Sequence, residues 1–168
     1  MAANNELDRQ LSEAYDMERK LVVALDEMAR GAGDEQLVNL LTEHRRVTEA
    51  QAGRIGEVFG MLRSPVARNA CQGVDDLVGE YRTRMAEPGL KGLERDLAVI
   101  DAAARIERFE LDAYRLLLST VRSADLEEEA LGRLQQNHAE ESATAEQLES
   151  LGRQLRERAA AESSLFGS

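Results

Sequence analysis

Glu13–Leu25, EAYDMERKLVVAL, is the stretch whose reading decides the fold. Apolar side chains recur around it at Leu7, Leu11, Ala14, Leu21, Leu25 and Met28. Steps of three and four residues place them along one face of an α-helix. The stripe skips one position, and Glu18 fills it. An isolated ionised acid on a core-facing stripe is strongly unfavourable, so Glu18 must be paired, protonated or bound to metal.

The rest of the chain is helical in composition. It has 168 residues, with two prolines, three tyrosines, three phenylalanines and no tryptophan. Ala, Leu, Glu and Arg abound, which favours helix over a sandwich or barrel. The length suits one domain, expected over residues 1–162, with 163–168 as a flexible tail. A net charge of -11 leaves no basic surplus to displace counterions from phosphate, so no nucleic-acid partner is expected. It equally disfavours anionic membrane surfaces, and no apolar run is long enough to span a bilayer. The opening MAANNELDRQ lacks the basic and apolar regions of a secretory signal. The single cysteine, Cys71, has no internal partner and reads as a small buried hydrophobe. A cytoplasmic location is the simplest expectation.

Four long helical patterns follow one another: about Asn5–Arg30, from the Asp34 cap to about Leu62, about Gly92–Arg122, and about Leu126–Ala161. Gly31 and Gly33 of GAGD can take positive φ at the first break. Ser123 or Asp125 can cap the last helix. Residues 63–91 form a longer connection in which CQGVDDLVGEYRTRM can make a short helix. Tight connections predict two antiparallel hairpins, one docked on the other through the long crossover. The expected fold is therefore all-α, a ferritin-like antiparallel four-helix bundle with an extra helix between helices 2 and 3.

The oddity at Glu18 recurs. In the third long helix, Leu97, Ile100, Ala104, Leu111, Tyr114, Leu118 and Val121 make the stripe and Glu107 sits in its gap. In the fourth, the stripe of Leu131, Leu134, Leu148 and Leu155 passes through His138, Glu141 and Ala145. In the second, the stripe of Leu37, Leu40, Leu41, Ile55 and Val58 takes in His44, Val47, Thr48 and Gln51. Both histidines of the chain thus fall on inward stripes, near the middle of their helices. His138 and Glu141, three apart, share a helix face. The Glu-then-His order repeats in the two hairpins, which suggests a pseudo-twofold centre. Carboxylate and imidazole from facing helices suit iron, manganese or zinc. They equally suit a metal-free, hydrogen-bonded polar layer that fixes helix register. No catalytic residue or organic cofactor site is legible: no Gly-rich phosphate loop follows a strand, and the acidic runs read as solvated faces.

At these residues the chain resembles the YciE/YciF family of ferritin-like bacterial proteins. LSEAYDMERKLVVAL, EHRRVTEAQAGRI, CQGVDDLVGE and ARIERFELDAY resemble that family's first-helix, second-helix, crossover and third-helix segments, in order, over about Leu11 to Leu151. Glu18, His44, Glu107, Glu110 and Glu141 stand where the family keeps polar residues. The family's acidic pair after the second-helix His is Arg46-Val47 here, its third-helix His is Arg108, and an acid on the fourth helix is Ala145. Stripes and resemblance together point to a metal centre drawn from Glu18, His44, Glu107, Glu110, His138 and Glu141, holding iron or manganese, with zinc as a substitute. His138 comes from the stripe alone, at a position where the family gives no histidine. Those departures favour one metal or none over a full di-metal centre, which draws on about four carboxylates and two His. The implied role is metal binding in a stress response, with iron or manganese oxidation or peroxide handling, in a homodimer. The alternative is a metal-free, stress-associated bundle acting through dimerisation or protein partners. The tail bearing Leu165 and Phe166 is either a frayed terminus or a docking peptide for a partner.

Overall fold

The computed structural model describes residues 2–66, 69–123 and 128–166. Five helices make it up: α1 (Ala2–Gly31), α2 (Glu35–Met61), α3 (Gln72–Met85), α4 (Gly92–Ser123) and α5 (Glu128–Phe166). The expected four long helices and the short crossover helix are all present, and no strand occurs among the described residues. α5 runs on as helix to Phe166, past the point where the tail was expected to begin. Asp125, proposed as a cap, lies outside the described residues, as does the side chain of Ser123, the last residue of α4.

Local chemistry sets the breaks. Asp34 caps α2: its Oδ1 accepts from the N–H groups of Gln36 and Leu37 at 3.0 and 3.1 Å. Its Oδ2 accepts from Arg158 of α5 at 2.6 Å. Among the described residues the glycines with positive φ are Gly89, in the connection before α4, and Gly92, its first residue, and not Gly31 or Gly33. The first break needs no left-handed residue there. Instead the Gly33 N–H donates to Asp96 Oδ1 at 2.6 Å, and Arg95 Nε donates to the Gly31 carbonyl at 2.8 Å.

Those contacts also fix the topology. The end of α1 meets the start of α4, and the end of α5 meets the start of α2, so each pair is antiparallel. With α1–α2 and α4–α5 as hairpins, α2 and α4 start at the same end. The crossover must therefore return the length of the bundle. α3 makes that return beside α1, tied by Cys71 N–H to Asp16, Lys20 to Asp75 and Arg82 to Glu27. Each tie joins residues 55 apart in sequence, so α3 lies parallel to α1 in one register.

Leu11, Leu21 and Leu25 of α1, Leu37, Leu41 and Ile55 of α2, Ile100 and Ile106 of α4, and Leu134, Leu148 and Leu155 of α5 fill the core. Each contributes about 1.5–3 kcal/mol by leaving water. α3 adds Val74, Val78 and Tyr81. Its first turn lies hard against α4: a Cβ on Gly73 would sit 2.4 Å from Phe109 Cε2. Gly73→Ala should therefore lower stability by about 1–2 kcal/mol, overpacking outweighing the helix preference of alanine. A urea midpoint equal to or above that of the wild type would contradict this contact.

Candidate metal centre

The centre is assembled from helix faces that are otherwise apolar. His44 sits on α2 one turn beyond Leu41 and one before Thr48. Glu107 and Glu110, one turn apart on α4, lie beside Ile106 and Leu111. Glu141 of α5 stands between Asn137 and Thr144. All four are buried, His44 at 3% exposure and the acids at 1% or less. Each offers one ligand atom, and the four atoms lie within 4.8 Å of one another. His44 Nε2 is 3.4 Å from Glu107 Oε2 and 3.5 Å from Glu141 Oε2. Neither contact is aligned as a hydrogen bond. Both imidazole nitrogens and all carboxylate oxygens of the three acids are buried without a hydrogen-bond partner in the protein.

Such crowding governs protonation. Burial, then the neighbouring Glu141, pushes Glu107 up to about 11. Burial also raises Glu110 well above its ordinary value, with the charges of Glu141 and Glu107 adding to the effect. Glu141 is the exception: the His44 ring and Glu107 beside it outweigh burial and hold it below the usual range. Without a cation, the group keeps one ionised acid and protonates its neighbours.

Glu18 points inward too and is fully buried, but it stands outside the four-atom set. Burial, then Glu141, raises its carboxyl. Its Oε1 accepts a short hydrogen bond from the Tyr114 hydroxyl. Tyr114 in turn accepts from Asn137 Nδ2 at 2.9 Å, and Asn137 Nδ2 also donates to the Gln51 carbonyl at 3.2 Å. Asn137 Oδ1 accepts from Arg54 Nη1 at 2.5 Å. Arg54 then forks onto Glu140 with two bonds of 2.8 Å. A continuous polar chain thus leads from the edge of the acidic cluster to the surface.

Of the six residues anticipated, the structure brings His44, Glu107, Glu110 and Glu141 together, sets Glu18 beside them, and leaves His138 out. His138 is only half-buried; the fully buried position is Asn137. Leu131, expected on the same stripe, is half-buried, whereas Ala130 is fully buried. The stripe keeps Leu134, Glu141 and Leu148 and takes Asn137 and Thr144 in place of His138 and Ala145. The pseudo-twofold Glu–His arrangement is lost with it. The roles of Asn137, Arg54 and the Tyr114 hydroxyl went unnoticed, because their side chains become meaningful only when α2, α4 and α5 are docked. The donor set itself, three acids and an imidazole lacking bonds of their own, can hold a metal ion.

Comparison with known proteins agrees with the geometry. The family described as domain of unknown function DUF892 matches residues 3–161. Protein YciF of Escherichia coli strain K12 is 31% identical over 108 residues, a match covering 64% of this chain and 64% of that protein. The matched segment thus spans just under two thirds of that relative's length. The crystal structure of the E. coli stress protein YciF superposes with a TM-score of 0.87 at 26% identity, covering 92% of this chain and 97% of that one. YcfI of Rhodopseudomonas palustris shares the fold, with a TM-score of 0.84 at 24% identity over 89% of this chain and 94% of that one. With four long helices in two docked hairpins, a crossover helix laid along α1 and a family match over nearly its whole length, the chain belongs to the DUF892 family, the YciE/YciF group of ferritin-like proteins.

Proposed function

We propose that this protein binds one transition-metal ion, iron or manganese with zinc as a substitute, through His44, Glu107, Glu110 and Glu141. The observation that carries the reading is the set of buried carboxylate oxygens without hydrogen-bond donors. A polar layer serving only helix register would satisfy its own members. Three acids around one point carry more negative charge than the core tolerates unless a cation or protons offset it. A bound iron or manganese supplies one-electron redox chemistry toward oxygen or peroxide. Glu18 stands next to the centre as a further carboxylate, and Tyr114 holds it in place. The tyrosine hydroxyl stays protonated, its acidity suppressed by burial and by Glu18. The E. coli relative YciF is a stress protein, which supports a role in a stress response.

Elemental analysis of protein purified without chelator or metal-affinity resin should give close to one metal per chain. Glu107→Gln, nearly isosteric, should reduce that content by at least about tenfold while leaving the helical signal intact. Metal at background in the wild type, or undiminished in the variant, would refute the reading.

A second outcome concerns pH. In metal-stripped protein Glu107 holds its proton in the fold to about 11, whereas the unfolded carboxyl loses it near 4.5. Between those values the unfolded chain binds fewer protons, so stability falls as pH rises, by up to about 1.4 kcal/mol per pH unit for each such carboxyl. The Tm of stripped protein should fall between about pH 5 and about pH 8, and added metal should raise it most at the upper end. A flat or rising profile for the stripped protein would contradict the protonated cluster.

A further inference from the structure

Between α4 and α5 the surface opens into a cavity of about 520 Å³. Its depth is lined by buried Ile100, Leu148 and Glu107, the same Glu107 that stands in the four-residue cluster. Its lining also includes Ala104 and Ala145, whose side chains are short. Gly152 lies in the wall, and the Arg156 guanidinium lies over it, 3.0 Å from where a Cβ would stand. The cavity therefore has a residue of the centre in its floor, Glu107, whose carboxylate oxygens lie covered just beneath it.

The charges at its mouth decide what it admits. Arg156 is paired with Asp101 at 2.5 Å, and Arg105 with Glu80 at 2.6 Å. Glu149 is paired with Arg153 at 2.9 Å. Arg108 alone among these lining charges has no ion pair or hydrogen bond among the described residues, and it is exposed. An arriving cation would meet this unbalanced guanidinium, whereas an anion would be drawn to it. Arginine also matches the geometry of a carboxylate or similar planar anion.

We propose that the α4–α5 groove is the entry and seat of a small monoanionic ligand that reaches the metal beside Glu107, with Arg108 at its mouth as the docking cation. This rests on the metal-binding reading above. The ligand class is an anion of carboxylate or azide size, set by a groove with Glu107 of the centre in its floor and a single spare positive charge among its lining residues.

The test uses the full chain loaded with cobalt(II), with azide as the probe and the visible d–d bands as the readout. Azide should shift those bands in the wild type. Ala145→Leu, which fills the groove, and Arg108→Glu, which reverses the docking charge, should each weaken azide binding by about tenfold or more. Neither residue belongs to the ligand set, so both variants should bind as much cobalt as the wild type. Arg108→Lys should recover part of the affinity. Wild-type azide affinity in both variants, or no azide response in the cobalt-loaded wild type, overturns the groove assignment and leaves the metal centre standing. Slower cobalt uptake in Ala145→Leu with unchanged azide affinity also overturns it, because the groove would then carry the cation. A wild type that takes up no cobalt fails the metal reading itself, and this inference falls with it.

Discussion

Mutual repulsion of buried carboxylates is the constraint around which this bundle is arranged. Glu107, Glu110 and Glu141 are held where water cannot screen them and where the protein provides no hydrogen-bond donors. An interior of low effective dielectric magnifies that repulsion well beyond its value in water. Leucines elsewhere in the core supply the stability that makes such a layer tolerable. Natural sequences accept a local conflict of this kind at sites that do something other than hold the fold together.

The surrounding polar chain is built on a different principle. Glu18, Tyr114, Asn137, Arg54 and Glu140 satisfy one another in sequence, from the interior outward. Asn137 is the branch point: its amide nitrogen serves both Tyr114 and the Gln51 carbonyl, and its oxygen serves Arg54. Each helix of the two hairpins contributes to this chain. Its members position one another by direct bonds, while the neighbouring acids have only proximity. The same layer thus contains a half held by direct bonds, with only Oε2 of the Glu18 carboxylate left over, and a half whose acids have no hydrogen-bond donor.

Much of this was legible in the sequence. Apolar steps of three and four gave the four long helices, and the interruptions at Glu18 and Glu107 flagged the layer itself. Asp34 was readable as a cap because its chemistry is local. His138 was not placed correctly, because steps of three and four both stay on one helix face, so spacing from Leu134 and Glu141 does not choose between positions 137 and 138. Between Leu134 and Leu148, α5 has no apolar residue larger than alanine to act as an anchor. Glu110 came from family resemblance and not from periodicity, since Leu111 beside it satisfied the stripe equally well. Reciprocal bonds such as those of Asn137 and Gln51 depend on how two helices slide along each other, which spacing within one helix does not encode.

The division of ligands between the hairpins has a consequence for assembly order. Three acids come from α4 and α5, and the first hairpin contributes only the imidazole of His44. Each hairpin pairs helices adjacent along the chain, so it forms through short-range contacts, while docking one on the other requires the long crossover to close. The complete donor set exists only after that last closure. An ion seated there would act as a rivet across the seam, strengthening the docked state while leaving the separate hairpins unchanged.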